Sequence, residues 1–429
     1  MTRALLAGPP SGSLWRHRDF RMFWAGQAVS EFGDRVSELA LPLIAVTMLL
    51  ASPTQVGVLT AVVWLPNLAS LVVGAWMEQQ HRKRALMVGA DLFRAAVLLA
   101  LPVAYWSGVL SMVQLYAVAL LAGTAHVVFD TAYPSFFVRL VSREQYLEAN
   151  SKLSTTSSAS AVVGPAVAGA LIQAVTAPVV VVLDAASFVF SALQVRRIRV
   201  SDPVPDAADQ SLLRRAAAGL SYVRRHPYLR PSLGCSSTMN FFAFMSTALL
   251  VLFASRTLDL SAGVIGFAFG IGAGGGLCGA VSAGWLARHL GVGPLIAAAS
   301  VVYPGAVAIV ALAGGPVWLR VGAMAGAEFV GSFAVMCFDI PHNALRAVVT
   351  PDQMRSRVAG AYSTVNYGIR PLGALIGGLL GSRIGVRETL LVSAVGGACA
   401  IVWLIRSPII RVRDLDGLEP PPHQPALTT

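Results

Sequence analysis

Charge is what this sequence has least of: Asp, Glu, Lys and Arg make up 12% of its 429 residues, about half the share found in soluble domains. With 55% hydrophobic residues and a mean hydropathy of +0.67, that scarcity excludes a water-soluble globule of this length. Lysine is almost missing, with Lys83 and Lys152 alone. Cysteine is scarce too: Cys235, Cys278, Cys337 and Cys399 are scattered through apolar stretches, which suits small core residues rather than a disulfide framework or metal site. No GxxxxGK(S/T) loop, HExxH or GxSxG pattern occurs, so no enzyme or nucleotide-hydrolysing chemistry is expected and uphill work would draw on a gradient.

What is there instead is apolar length. Stretches of helix-spanning length follow one another, about twelve in all, centred near residues 36, 66, 95, 123, 160, 187, 243, 275, 303, 330, 370 and 396. A β-barrel would alternate in short segments. The expected fold is an all-α integral membrane protein. Residues 1–20 read as a retained polar tail, because the first apolar run is too long for a signal-peptide core.

Lys and Arg concentrate in alternate loops, and such loops stay in the cytoplasm. Arg16, Arg18 and Arg21, then Arg82, Lys83 and Arg84, Arg139 and Arg143, and Arg196, Arg197 and Arg199 fall on one side. Arg214, Arg215, Arg224, Arg225, Arg288, Arg346, Arg355, Arg357, Arg411 and Arg413 join them, against Arg256, Arg383 and Arg387 opposite. An even number of spans with both termini cytoplasmic fits this asymmetry. The net charge of +11 then faces anionic lipid rather than nucleic acid.

One long polar stretch, 196–230, divides the chain into halves that repeat. SPTQVGVLTAV at 52–62 aligns with SAGVIGFAFGI at 261–271, and FDTAYP at 129–134 with FDIPHN at 338–343, both shifted by 209 residues. VSREQYLEAN at 141–150 resembles VTPDQMRSRV at 349–358, and GPAVAG at 164–169 resembles RPLGALIG at 370–377. The expected organisation is a cytoplasmic tail 1–20, a six-helix bundle 21–195, a linker 196–230, a second six-helix bundle 231–406 and a cytoplasmic tail 407–429. Within the linker, Leu212, Ala216, Leu220 and Val223 form an apolar stripe beside arginines, which predicts an amphipathic helix on the lipid surface, tethering the halves.

Three motifs carry a family resemblance. GAWMEQQHRKR at 74–84 resembles the loop signature of the major facilitator superfamily, with Gly74, Glu78, Arg82 and Lys83 at the matching positions. It departs in Glu78 for the usual Asp and His81 for the usual Gly, and the second half keeps Gly284 but has Arg288 where the acid would be. SASAVVGPAVAG at 158–169 looks like the GxxxGPxxGG signature of drug and proton antiporters, through Ser160, Gly164, Pro165, Ala168 and Gly169. Small residues at four-residue spacing allow close helix packing, and proline bends the span. Residues 129–172, with GD at 33–34 and LPLIAV at 41–46, are similar to the bacterial branch containing enterobactin exporters and macrolide efflux proteins. Val138 and Arg139 replace that branch's usual Leu-Pro pair. The resemblance implies a twelve-span major facilitator fold of two pseudo-symmetric six-helix bundles. It implies alternating access, with substrate exchanged for protons.

Ionisable groups inside spans are costly and mark candidate sites. Glu31, Asp34 and Glu38 share one helical face, with Arg35 in reach of Glu31 or Glu38. One base cannot neutralise three acids, so Asp34 and Glu38 are either a proton or cation site or a structural network with Arg35. His126 and Asp130 lie one turn apart as a relay pair or a structural hydrogen bond. Asp91 and Arg94 read as an internal pair.

Glu328 and Arg370 have no charged counterpart in the other half, which favours a unique role lining a central cavity with Asn366, Tyr367, Phe241, Phe242 and Trp64. Asp130 and Asp339 recur in both halves before Pro134 and Pro341, which favours a cytoplasmic gate or helix-end clasp over a coupling role. Arg139, Arg143 and Arg346 are the bases at hand.

The expectation is a monomeric inner-membrane secondary transporter without a cofactor or metal, exporting small amphipathic molecules such as drugs, macrolides or siderophore-like compounds against protons. The competing readings are a non-transporting sensor or scaffold, and a uniporter or importer of a lipid or metabolite.

Overall fold

The computed structural model describes residues 14–142, 145–198, 212–416 and 418. Arg143, Arg199 and most of both tails lie outside the described residues, as do the side chains of Glu78, Arg214, Arg215, Leu212 and Ala216.

Among the described residues all regular structure is helical. α1 (Arg18–Leu43) runs into a π-helical turn at Ile44–Met48. α2 (Pro53–Trp64) opens with a capping box in which Ser52 and Gln55 satisfy each other's backbone N–H. Pro66 follows, a 3₁₀ stretch Leu65–Ala69 intervenes, and α3 (Ser70–Glu78) completes the excursion. α4 (Lys83–Trp106), α5 (Met112–Leu140), α6 (Tyr146–Val175) and α7 (Ala177–Arg197) follow through short turns. After α8 (Leu212–Arg225) come α9 (Leu229–Arg256), α10 (Ala262–Leu290), α11 (Val292–Ala311), α12 (Val317–Val349), α13 (Arg355–Arg383), α14 (Val386–Ala398) and α15 (Ile401–Ile405).

Among the described residues nine segments are long and apolar enough to cross a membrane: α4 to α7, α9 to α12, and the run Val386–Ile405. The three other expected spans are helical but more polar or broken. α1 carries Glu31, Asp34, Arg35 and Glu38, α13 carries four arginines, and the second expected span is divided by the turn at Pro66.

Before α8, α7 packs on α1 and α4, α4 on α5, and α6 on α1. After it, α12 packs on α10 and α11, and α9 on α13 and α14. The two largest crossings between these groups are α2 with α13 and α6 with α10. Both depend on glycine. A Cβ on Gly57 would stand 2.7 Å from the Cα of Gly378, and one on Gly266 would stand 3.0 Å from the Cα of Gly169. Gly266 follows Gly57 by the same 209 residues that relate the sequence repeats.

Both crossings lie toward the end of the molecule that holds the 44–52 and 257–261 turns. There Thr54 and Ser382 share a hydroxyl hydrogen bond of 2.7 Å, and the amide N–H of Gly263 donates to Gln173 Oε1 at 3.2 Å. Arg256 Nη2 donates to the Val46 carbonyl in the π-turn at 2.7 Å, tying α9 to the end of α1. Arg320, a residue the loop-charge pattern passed over, donates to the Leu258 carbonyl at 2.5 Å.

At the opposite end, α8 packs on α13 and α3. Gly219 meets the Arg357 backbone and Val223 is buried among α9, α12 and α13 residues. Of the apolar stripe expected to face lipid, the described members Leu220 and Val223 therefore meet protein, because α13 begins directly beneath them.

Gly266→Ala is expected to lower the thermal midpoint in detergent by several degrees, since forcing a methyl into a packed crossing costs about 1–3 kcal/mol. Gly274→Ala, whose new methyl would meet nothing within 4 Å, is expected to leave it unchanged. Equal midpoints for the two variants would show that the crossing tolerates a side chain.

Candidate functional site

Two polar regions interrupt the apolar interior. The first is built by α1, α4 and α7. Arg94 on α4 reaches across to α1, where Nη2 donates to Asp34 Oδ1 at 2.5 Å. Its guanidinium also lies 3.7 Å from the centroid of Phe188 on α7. Asp184 on α7 is fully buried, accepting from Ser37 of α1 and from Ser187 at 3.3 Å. Asp91 is buried one turn before Arg94, against Ser191. Asp34 thus pairs with the Arg94 guanidinium, and Asp91 and Asp184 stand in its electrostatic field.

This geometry corrects one expectation. Arg94 pairs with Asp34 rather than with Asp91, because the side chain on α4 points across the helix contact and not along its own axis. Of the two acids expected within its reach, Glu31 and Glu38, Arg35 takes Glu38, at 2.8 Å. The Glu38 side chain keeps 61% of its exposure, so it faces open space beside the buried cluster. His126 stands in the electrostatic field of Arg94, Asp34 and Asp130.

The second region is a cavity of about 320 Å³ between α9, α11, α12 and α13. Arg370 and Asn366 of α13, Asn240 and Phe244 of α9, Tyr303 of α11, and Asp339 and Arg346 of α12 line it. Arg370 Nε donates to Asn240 Oδ1 at 3.1 Å. Its guanidinium lies 4.5 Å from the Trp64 ring centroid, 4.6 Å from Tyr367 and 4.9 Å from Phe244. Trp64 belongs to α2, so a residue from before α8 helps to seat the arginine. Asn366 Oδ1 accepts from Ser236 at 3.3 Å and Ser237 at 3.2 Å.

Glu328 lies against Gly272 of α10, apart from this lining. Phe241 and Phe242 pack edge to face with each other at 5.1 Å, outside the lining. Phe241 meets Gly373 and Phe242 meets Gly396. Of the five expected aromatic and amide neighbours, Asn366, Tyr367 and Trp64 are therefore the ones the fold brings to Arg370.

Asp130 and Asp339 occupy matching places, each ten residues before the last residue of its helix (140 − 130 and 349 − 339). That is about 15 Å along the axis, with Pro134 and Pro341 inside their helices rather than at the ends. Asp130 is exposed and Asp339 half-buried in the cavity wall. Gly74 of the loop motif faces Thr131, the residue after Asp130. Arg82 precedes the first turn of α4 without a side-chain capping bond, and Lys83 is buried. In the antiporter-like motif, Ser160, Gly164, Ala168 and Gly169 are buried. Gly164 abuts the Arg35 side chain, while Pro165 and Gly169 meet Gly266 of α10.

Sequence reasoning missed Asp184 and a buried network beside the cavity. Ser232 Oγ and His342 Nε2 are 2.5 Å apart, and Tyr362 OH donates to Ser232 Oγ at 2.9 Å or to the Leu229 carbonyl at 2.8 Å. Arg346 lies over the Tyr362 ring at 4.8 Å. Asp184 gave a signal that could have been used, an acid inside an apolar run. The network gave none, because its members come from three distant helices.

Comparison with known proteins places these features in context. A family described as "Transmembrane secretion effector" matches residues 11–427. The chain is 27% identical over 402 residues to the multidrug efflux pump Tap of Mycobacterium tuberculosis, covering 89% of this chain and 92% of that one. It is 25% identical over 424 residues to macrolide efflux protein A of Streptococcus pyogenes, covering 92% and 97%. The fold resembles a bacterial homologue of the iron transporter ferroportin in an inward-facing state, with a TM-score of 0.73, 19% identity, and 92% and 99% coverage. Against that homologue in an outward-facing state the TM-score is 0.58, at 18% identity with 90% and 98% coverage.

Asp34→Asn and Arg94→Gln are each expected to cost about 1–3 kcal/mol, less than for a fully buried pair because Asp34 keeps some exposure. The double variant should lose less than the sum. Thermal unfolding of the four proteins in detergent measures this coupling, and strictly additive losses would show that the pair contributes none.

Proposed function

The chain belongs to the transmembrane secretion effector family of the major facilitator superfamily, and from that premise we propose that it is a proton-coupled exporter of small amphipathic molecules. Membership makes it a multi-pass membrane protein and a secondary transporter of small molecules, not an enzyme, related to bacterial multidrug and macrolide efflux proteins. The finer reading is ours: twelve spans in two six-helix bundles, working as a monomer by alternating access in the bacterial inner membrane, with both termini cytoplasmic.

The observation that carries this reading is the division of polar chemistry between the halves. In the α1–α4–α7 cluster Asp34 pairs with Arg94, and Asp91 and Asp184 lie buried within the field of the same base. A surplus of carboxylates in a low-dielectric region is offset by taking up a proton, and it releases that proton when the base moves closer or water enters. Asp34 and Glu38 are the groups assigned to this role, with His126 and Asp130 as the path from the surface. The cavity around Arg370 and Asn366 is assigned to substrate, with Glu328 behind it.

The direction of opening follows from the crossings. The end at which α2 meets α13 and α6 meets α10 is closed, and the basic loops flank the other end. Positive loops remain in the cytoplasm, so the closed end is the outer one and the cavity faces inward. Greater likeness to the inward-facing than to the outward-facing form of the ferroportin homologue supports this assignment. Asp130 and Asp339, at equivalent depths in the two halves, serve as the inner gate, with Arg139 and Arg346 as bases to engage on closure. Gly74, Glu78, Arg82 and Lys83 hold the loop beside it.

Everted membrane vesicles energised by a proton gradient are expected to accumulate amphipathic dyes, and to stop when the gradient is collapsed. Glu38→Gln, whose exposed side chain is not needed for packing, is expected to reduce gradient-driven accumulation by about tenfold or more while substrate binding persists. Accumulation that ignores the gradient, or an undiminished Glu38→Gln variant, would remove the coupling assignment.

A further inference from the structure

The cavity wall holds two guanidinium groups, Arg346 and Arg370, against one carboxylate, Asp339. Among the described residues neither arginine has a carboxylate oxygen within 4.0 Å. Glu328 is not part of the wall. An arginine at this depth is costly unless something answers its charge.

Three rings answer part of it. Trp64, Tyr367 and Phe244 lie 4.5, 4.6 and 4.9 Å from the Arg370 guanidinium. Rings attract a cation through their faces but accept no hydrogen bond in its plane. Among the described residues only Nε has a protein acceptor, Asn240 Oδ1 at 3.1 Å, so the terminal N–H groups keep donors to offer. The aromatic box is filled by the chain's own cation, which leaves no place in it for a positively charged ligand. Asn366, with its carbonyl oxygen already accepting from Ser236 and Ser237, presents a further amide donor.

We propose that this cavity takes an amphipathic carboxylate, its two oxygens received side by side by the terminal nitrogens of Arg370 and its apolar body lying along Phe244, Tyr303 and Phe338. A planar guanidinium fork matches a carboxylate in a way an ammonium cannot. Arg346 supplies the second positive charge and Asp339 opposes a negative ligand. The assignment rests on the cavity being the substrate's, and not on proton coupling or on the direction of transport.

The test uses the purified full chain in detergent at about pH 7, where a simple carboxylic acid is ionised and a primary amine protonated. Calorimetric titration compares three probes sharing one naphthalene: naphthylacetate, naphthylacetamide and naphthylethylammonium. The acetate is expected to bind about tenfold or more tighter than either of the others. Arg370→Gln should erase that advantage while acetamide binding persists, and Asp339→Asn should tighten acetate binding several-fold.

Equal or tighter binding of the ammonium probe, or failure of all three to bind, overturns the proposal. So does an acetate preference that survives in Arg370→Gln. The ranking in the unaltered protein decides the matter even if that variant does not fold. An acetate preference without efflux in vesicles would refute the exporter reading alone, and efflux with an ammonium preference would refute this one alone.

Discussion

The close approach of backbones at two helix crossings is the constraint on which the rest of the molecule depends. Where Gly57 meets Gly378 and Gly169 meets Gly266, no side chain separates the helices. Helices in lipid gain nothing from excluding water, so they associate where small residues let their backbones touch. The contacts are reinforced by hydrogen bonds between Thr54 and Ser382, from the Gly263 N–H to Gln173, and from Arg256 to the Val46 carbonyl. With that end joined, the polar cavity lies away from the crossings, within the second half between α9, α11, α12 and α13.

A second consequence is the fate of charge. An ionised side chain in hydrocarbon must find a partner, a cavity or an aromatic face. Asp34 and Arg94 find each other, Arg370 finds three rings and an asparagine, and Glu38 keeps access to open space. The two halves solve the problem differently, one with surplus acid around a base and the other with bases that lack an acid. Pseudo-repetition at the crossings and asymmetry at the polar sites fit a scaffold shared by both halves that carries unlike chemistry in each.

Much of the scaffold was legible because its signals are local or periodic. The 209-residue shift paired SPTQVGVLTAV with SAGVIGFAFGI, and these segments became the starts of α2 and α10, the helices that make equivalent crossings. GPAVAG and RPLGALIG became parts of α6 and α13, their partners. Arg370 and Asn366 were found because a polar residue in an apolar run stands out. Asp184 stood in such a run as well and was passed over, since its partners Ser37 and Ser187 carry no charge to draw attention. The Asp91–Arg94 pairing was misread because spacing along one helix is visible and reach toward a neighbour is not. The stripe on α8 was read as lipid-facing for the same reason, since an apolar face records that something covers it but not what.

By itself the sequence determined that this chain lives in a bilayer, is helical and carries a repeat at a shift of 209 residues. Each of these follows from composition and period, which act within a turn or two of helix or through simple transfer to lipid. Only the tertiary structure decided that Arg94 answers Asp34 and that Trp64 crosses from the first half to stack on Arg370. It also decided that Ser232, His342 and Tyr362 join in one network. Those contacts link residues from 60 to more than 300 positions apart, and no local preference specifies them. They come from the angles at which helices cross, which the glycines permit and the packing of the whole chain sets.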